Sequence, residues 1–495
     1  MPTIKEITTM CKAGQILEAY NIAIQDLENA PTNVWTQREV GWALYYSIKA
    51  DVDSGNFDML LGHLDKLRTL DLLTIENDGM IFENILFAIS KYIKDSVSVN
   101  DQSASSKLSS IFKVLRNYQF KPSKGYSYFL QNVIKFAESW NEMVDFFDWW
   151  NLDNLTQEDY VPYVTERGNK LMTLAERAFI ANSKALLIQG DHGCIEAFLP
   201  KLDALMSAHP EMIYPGYFYG KLLLALGTNE DEALRVLIPF ARKKSTEFWV
   251  WQLLAEVFAN APEKQLACLL RAVNCRTQES FLPKVRMKLA NIYINNQQYD
   301  KARFHIDKVT RCKVEQGQRI PYEIANIMHE PWLNMTQPNG NADLDYMAIT
   351  NAILYKGTEE AIAIVTYFDP QSKRSSMIYG CQKRLTQKIR IKVNAGDALK
   401  INYINEADSR PKILNAVRME MPNNLQFAKI VQGVIRKRDD KAFAFLKSDS
   451  KDFFIPPSAV QKYHVSDGES VSALIVYDYD KKKDSWNWVC ISIKK

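Results

Sequence analysis

Three phenylalanines near the C-terminus have the spacing that base stacking requires. Phe443 and Phe445 lie two residues apart in the alternating segment 441–447 (KAFAFLK), so both rings face one side of a strand, and Phe454 follows on the next strand. The cations close to them in the sequence are Arg436, Lys437, Lys441 and Lys447. Aromatic rings beside cations suit the bases and phosphates of single strands, each stacked base contributing about 1–3 kcal/mol.

The alternating phenylalanines also allow the opposite orientation. In that alternative Phe443 and Phe445 pack inward as ordinary core, and Ala442, Ala444 and Leu446 face outward. The two orientations place different side chains on the surface, so only one of them provides a stacking site.

A second group of cations lies upstream, in the segment 387–393 (QKIRIKV). Lys388, Arg390 and Lys392 alternate there with Ile389, Ile391 and Val393, which predicts a strand with three cations on one face. A solvated strand face is the alternative reading. If the cations contact phosphate, they extend the track of the phenylalanines.

A β-rich tail positions both groups, because the hydrophobic period changes from about 3.6 to 2 after Asn341. The first set of expected strands is 361–368, 374–380, 387–393, 397–404 and 412–419. The second set is 428–436, 441–447, 452–456, 469–477 and 486–493. Five short strands occurring twice predict two small OB-type β-barrels, at 345–420 and 427–495.

The second set contains the segments Gly433-Val434-Ile435, KAFAFL (441–446), DFFIPPSAV (452–460) and DGESV (467–471). In their order and spacing these segments resemble a cold-shock domain. The resemblance implies an OB barrel that binds single-stranded nucleic acid; the first barrel matches this S1/cold-shock-like pattern only in outline. Alanines replace the family's glycines in KAFAFL. The family's tryptophan is replaced within Arg436-Lys437-Arg438, and Pro456 and Pro457 stand where it has histidine and phenylalanine. The smaller ring surface implies weaker, more charge-dependent binding, or a barrel that contacts protein.

Residues 1–315 show apolar side chains at helical spacing, which predicts two helical repeat blocks, 1–150 and 165–315. Ala233, Ala267 and Ala302 are separated by 34 and 35 residues, at positions where a second helix would contact a first. This part resembles tetratricopeptide repeats. Together with the tail it predicts a multidomain α + β chain, in which a helical solenoid binds protein partners on its repeat face.

The segment 140–150 is denser in aromatic residues than a repeat requires. Its rings fit a peptide-docking patch, or a core between the two helical blocks. The sequence leaves both interpretations open, although clusters beside a connecting segment are more often core.

Charge divides the chain in the same place as periodicity. Residues 371–495 hold 24 Lys and Arg against 13 Asp and Glu, a net of +11, and the remainder has a net of −8. A polyanion would therefore be attracted to the tail and weakly repelled by the helical part.

Several function classes lack their sequence signatures. The seven cysteines are scattered, and the sequence has no phosphate-binding loop, nucleophile elbow or metal-ligand spacing. We therefore expect no enzyme activity, no metal and no cofactor. No apolar run is long enough for a membrane span and the N-terminus carries charge, so we expect a cytoplasmic protein with no membrane partner.

The order of helical repeats followed by two S1/cold-shock-like barrels resembles the repeat-plus-barrel proteins of bacterial TOTE conflict systems. That resemblance implies a role in defence against invading nucleic acid, beside separately encoded helicase, primase or nuclease components. We expect an adaptor that binds single-stranded RNA or DNA and recruits protein partners. The alternative is a protein scaffold whose barrels dock on a partner without nucleic acid.

Overall fold

The computed structural model describes residues 3–228, 230–342, 344–389, 391–405, 411–423, 425–448, 451–480 and 484–494. The chain divides into two compact units, Met1–Tyr346 and Met347–Lys495. The first is helical, and the second is built around two five-stranded sheets. The predicted order of a helical part and a β-rich part is confirmed. None of the described helices combines the length and apolarity that crossing a membrane requires.

The first helices of the chain precede residue 151 and share one apolar core. They are α1 (Ile4–Lys12), α2 (Ile16–Asn29), α3 (Val34–Ser54), α4 (Phe57–Leu67), α5 (Ile75–Ser96), α6 (Ala104–Leu115), α7 (Lys124–Val133) and α8 (Met143–Trp150). Local chemistry sets their ends. Asn33 caps α3 by accepting a hydrogen bond from the amide of Trp35, and Gly55 ends it at φ 69°.

The aromatic segment 140–150 belongs to this core. Trp140, Phe146, Phe147 and Trp150 are no more than 4% exposed. The ring of Trp150 stacks on that of Tyr126, with centroids 4.2 Å apart. These rings therefore fill the space between helices, as the core interpretation predicts.

The next helices pack mostly on near neighbours in sequence, and the last six form three consecutive pairs. They are α9 (Leu174–Gln189), α10 (His192–Ala208), α11 (Tyr214–Ala225), α12 (Glu230–Lys243), α13 (Phe248–Val257), α14 (Pro262–Val273), α15 (Pro283–Asn295) and α16 (Tyr299–Glu315). Ala233, Ala267 and Ala302 are fully buried. In α11, a Cβ added to Gly220 would collide with Leu237 of α12, so this pair packs too closely for a larger residue.

The stretch after α16 is more ordered than the prolines there suggest. It contains α17 (Tyr322–Ile327), α18 (Pro331–Met335) and α19 (Tyr346–Leu354). Ile324 and Leu333 pack on Ile306 and Val309 of α16. The segment predicted to open the first barrel thus begins with a helix.

The first sheet has the strand order β3-β2-β1-β4-β5. Its strands are β1 (Glu359–Asp369), β2 (Arg374–Gly380), β3 (Lys383–Lys388), β4 (Ala398–Ile404) and β5 (Lys412–Met419). No ladder joins β3 to β5 in the described residues. Instead the Gln387 side chain bridges these edges, because its Nε2 donates to the Ile413 carbonyl at 3.1 Å and its Oε1 accepts from the Ile413 amide at 3.0 Å. The predicted closure of this sheet into a barrel is not confirmed.

The missing ladder also corrects the predicted strand 387–393, because β3 ends at Lys388. Val393 is nevertheless buried, and Ile389 and Ile391 pack on the same core. The apolar alternation therefore still turns Ile389, Ile391 and Val393 towards the core, although the described residues of 389–393 form no ladder. The expected strand face with three cations is wrong.

The second sheet is a closed barrel, β10-β8-β7-β6-β9. Its strands are β6 (Ala428–Lys437), β7 (Ala444–Ser448), β8 (Lys451–Ile455), β9 (Ser470–Asp480) and β10 (Ser485–Lys494), with α20 (Pro457–Tyr463) between β8 and β9. Around the barrel the strands follow the order first, second, third, fifth, fourth, which is also the order of the first sheet if its edges are joined. A Cβ on Gly433 would collide with the Lys447 carbonyl, so β6 requires glycine where it passes β7.

The two sheets share an apolar cluster within their unit. Ile364, Ile378 and Ala398 of the first sheet pack with Leu474, Val476 and Ile491 of the barrel. Arg384 of β3 forms an ion pair with Asp478 of β9 at 3.3 Å. Burial raises the pKa of Asp478, and Arg384 acts against that shift. This contact fixes the two sheets against each other.

Candidate nucleic-acid interface

Phe443, Phe445 and Phe454 form one aromatic cluster on the outside of the barrel, here called the ring triad. Phe445 of β7 lies directly opposite Phe454 of β8, and Phe443 immediately precedes β7. The ring centroids of the three pairs are 5.6, 5.7 and 6.0 Å apart. Phe445 remains 39% exposed and Phe454 36% exposed. The triad therefore presents ring surface to solvent.

The opposite orientation of this strand does not occur. Ala444 is 1% exposed and Leu446 is fully buried, where they join Ile435 and Ile455 in the barrel core. Since side chains alternate along a strand, Phe445 and Lys447 must face outward. The inward-packing alternative for Phe443 and Phe445 is thus wrong.

Arg436 is the cation placed next to the rings. It lies opposite Phe445 on the neighbouring strand β6, so Arg436, Phe445 and Phe454 form one row across three strands. Arg436 is exposed. The row places a guanidinium beside two partly exposed rings.

The other three cations predicted for the barrel have carboxylate neighbours. Lys441 forms an exposed ion pair with Asp440 at 3.3 Å. Lys447 lies opposite Asp452 in the ladder of β7 and β8. The backbone amide of Lys437 donates to Asp467 at 2.8 Å. The positive potential near the triad is therefore weaker than a count of its cations implies.

Pro456 and Pro457 end the ring surface. Pro456 occupies the N-cap position of α20 and Pro457 is its first residue, so the chain leaves the sheet after Ile455. The two positions that carry a histidine and a phenylalanine in cold-shock domains thus begin a helix. The smaller stacking surface predicted from these prolines matches this geometry.

The upstream cations are arranged differently from the prediction. Lys388 ends β3 and lies opposite Arg374 of β2, so two cations stand side by side there. Arg390 lies outside the described residues. Lys392 is on the loop after β3, where its carbonyl accepts a hydrogen bond from Arg418 at 3.0 Å. Gly396 of this loop packs against Ser492 of β10, the strand next to β8.

An aromatic group on the β9–β10 hairpin was not predicted. Tyr477 lies opposite Trp488, and Tyr479 lies opposite Trp486. The Lys429 ammonium stands 4.9 Å from the Trp488 ring centroid. The alternating Trp486-Asn487-Trp488 was the signal for these rings, but both tryptophans were assigned only to a strand. The group is half-buried and lies partly against the cluster between the sheets.

The described residues offer no group of three His, Cys, Asp or Glu side chains that could hold a metal ion. The buried thiol of Cys490 lies in the barrel core, where burial raises its pKa to about 12. It is a protonated core side chain at neutral pH.

Comparison with known families supports the cold-shock resemblance. Residues 429–493 match the S1/CSD-like domain 2 of the TOTE conflict systems, which contains the ring triad and Arg436. Residues 213–352 match a domain of unknown function, DUF7017. No curated protein matches the chain. The resemblance to TOTE systems is therefore confirmed for the closed barrel.

Proposed function

We propose that this protein is a non-enzymatic adaptor that binds single-stranded RNA or DNA with its C-terminal unit and protein partners with its helical unit. The main support for this proposal is the ring triad, in which Phe445 and Phe454 are exposed beside Arg436. Stacking a base on these rings would remove apolar surface from water, and the guanidinium would contact the adjoining phosphate. The match of 429–493 to a TOTE-system domain supports a place in such a conflict system.

The first sheet would extend this surface. Its OB-like strand order and the Gln387 bridge support a barrel-like domain whose last edge is joined by a side chain. Lys388 with Arg374 supplies paired cations, and Lys392 lies on a loop that packs against β10. These cations would give a bound single strand further phosphate contacts in the same unit.

The helical unit would supply the protein contacts. Paired helices from α11 to α16 and the buried alanines at 34- and 35-residue intervals support a tetratricopeptide-like solenoid. Its negative charge favours a protein partner over a polyanion.

A structural role explains the most shifted histidine in the helical unit. Burial and the neighbouring Arg286 lower the pKa of His305 to about 3. Arg286 is itself held by Glu279 at 2.7 Å, and its guanidinium lies 3.2 Å from Nδ1 of His305. This buried network ties α15 to α16, which supports the non-enzymatic proposal.

The carboxylates beside Lys441 and Lys447 favour a second candidate function. They reduce the attraction for phosphate, and with Pro456 and Pro457 they leave a small apolar patch that suits a protein. In this alternative the barrel docks on a partner protein and the chain is a scaffold.

Fluorescence anisotropy with labelled single strands distinguishes the two candidates. The full chain should bind RNA or DNA single strands at low salt, and an unlabelled duplex of the same sequence should compete poorly. Phe445→Ala and Arg436→Gln should each weaken binding, whereas Ile430→Ala, an exposed residue at the other end of β6, should not. If no single strand binds at low salt, the scaffold function replaces the adaptor function.

A further inference from the structure

A cleft of about 580 Å³ opens in the helical unit between α8, α9 and α10. Its apolar lining comes from side chains of all three helices, such as Phe147, Leu186 and Phe198. The indole of Trp149 also lines it, and that ring is held in place because its Nε1 donates to the Tyr118 carbonyl at 3.0 Å. The cleft is therefore a preformed, partly aromatic site.

Asn182 lines the cleft, and nothing in the described chain satisfies its side-chain oxygen. The residue is only 8% exposed, and its Oδ1 has no hydrogen-bond partner. An unsatisfied buried polar atom costs about 1–3 kcal/mol, so a ligand that donates a hydrogen bond here recovers that cost.

Carboxylates lie in and near the cleft. Asp148 lines the cleft, and burial followed by Asp145 raises its pKa. Asp191 caps α10 by accepting from the Cys194 amide at 3.0 Å, and this bond lowers the pKa of Asp191. Cys194 also lines the cleft. Burial raises the pKa of its thiol, and the charges of Asp191, Asp148 and Asp145 raise it further. The site is therefore electronegative.

One cation opposes this charge. Lys201 lines the cleft, but its ammonium is paired with Asp153 at 3.5 Å across the gap between α10 and the segment after α8. Asp148 has no ion-pair partner in the described chain, so its charge stays available to a ligand.

We propose that this cleft binds an arginine side chain of a partner protein. The guanidinium would donate to Asp148 and to Asn182 Oδ1 and stack on Trp149, and the aliphatic stem would lie on the apolar lining. Arginine fits better than lysine because its planar fork donates to two acceptors at once. The assignment rests on the protein-contact half of the proposed function and names the chemistry of that partner.

A titration of the full chain with three neutral-ended peptides tests this. The probes are acetyl-Gly-Arg-Gly-amide, the lysine analogue and the citrulline analogue, which keeps the shape of arginine without its charge. We expect the arginine peptide to bind. The citrulline peptide should bind at least about tenfold more weakly, because a charged hydrogen bond is lost. Saturation-transfer NMR and calorimetry measure both. Equal binding of arginine and citrulline peptides would overturn the assignment.

Variants locate the binding. Asp148→Asn and Asn182→Leu should each weaken the arginine peptide, and Lys201→Gln should strengthen it by removing the competing cation. Asp203→Asn is the control for Asp148→Asn. It removes one carboxylate charge from α10 outside the cleft and should leave binding of the arginine peptide unchanged. Unchanged binding in Asp148→Asn and Asn182→Leu would place the peptide elsewhere. Oligonucleotide binding, measured on the same preparations, should be unaffected, so loss of one activity is distinguishable from loss of the other.

Discussion

At the scale of single residues, alternate side chains of 443–447 belong to the ring triad and to the barrel core. Leu446, Ile435 and Ile455 fill the interior, which leaves no space for the rings of Phe445 and Phe454. The rings instead pack edge to face or tilted on one another, which hides part of each ring and leaves the rest wet. Removing one ring therefore affects the surface more than the fold.

Phe443→Ala and Phe454→Ala should each weaken single-strand binding by about 1–3 kcal/mol, because each removes a stacking ring. Anisotropy titrations of the full chain measure the loss, and circular dichroism shows whether the barrel persists. Ile430→Ala serves as the control. Unfolding of the barrel in both phenylalanine variants would assign the rings to the core.

Glu39 provides a pH-dependent prediction in the helical unit. It is 5% exposed, and burial together with Asp26 raises the pKa of its carboxyl. The folded protein therefore holds this proton at a higher pH than the unfolded chain does. Its contribution to stability is greatest below the unfolded pKa and is lost as pH rises through the folded pKa.

Glu39→Gln should consequently raise the melting temperature at pH 7, because a neutral amide replaces a charge that burial disfavours. The gain should shrink in melts at acidic pH, where Glu39 itself is protonated. Exposed Glu18→Gln on α2 is the control, and a similar response in both variants would contradict the assignment to burial.

At the scale of elements, apolar alternation in the sequence predicts where the strands lie. All ten predicted strands overlap observed strands, since alternation reports a face turned to a core. It failed at 387–393 because alternation does not report hydrogen bonding: Ile389, Ile391 and Val393 face the core without a ladder. The helices α19 and α20 were missed because each is shorter than three turns.

The features of the candidate site that depend on local sequence were predicted, and those that depend on contacts between distant residues were not. Strand alternation placed Phe443 and Phe445 on one face, but two orientations remained until the core was known. The opposition of Lys447 and Asp452, and of Phe445 and Arg436, depends on register, which pairs residues distant in sequence. The cleft beside Asn182 needs three helices in contact and has no sequence signature.

Gly433→Ala should destabilise the barrel by about 1–3 kcal/mol, because its Cβ would meet the backbone of Lys447 and no flexible side chain can yield. Urea unfolding, with hydrogen exchange at β6 and β7 amides, measures this. Gly62→Ala is the matched control inside α4, where the added Cβ has open space and should stabilise by about 0.5–1 kcal/mol. Unchanged urea stability and exchange in Gly433→Ala would contradict this close approach of β6 to β7.

At the scale of the whole molecule, charge separates the two proposed activities. The net of +11 in 371–495 favours phosphate, and the net of −8 elsewhere favours a basic protein segment. Since the ring surface is small, we expect charge to contribute more of the nucleic-acid affinity than it does in cold-shock domains.

Oligonucleotide binding should therefore fall steeply with salt, with a slope of log K against log salt of about −0.7 per phosphate contact for single strands. Reversing Lys388 and Lys392 to glutamate should reduce both affinity and slope if the first sheet shares the track. Reversing Lys5 and Lys12, two exposed lysines of α1, is the control. An unchanged slope in the first variant would confine binding to the closed barrel.

The apolar cluster between the sheets also determines where this chain can be cut. A fragment that begins near residue 427 would keep every strand of the closed barrel. It would also bare Leu474, Val476 and Ile491, which the first sheet covers in the intact unit. Such a fragment should self-associate through that face, so its oligomers would reflect the truncation and not the native protein. The smallest piece with a native surface is the pair of sheets together.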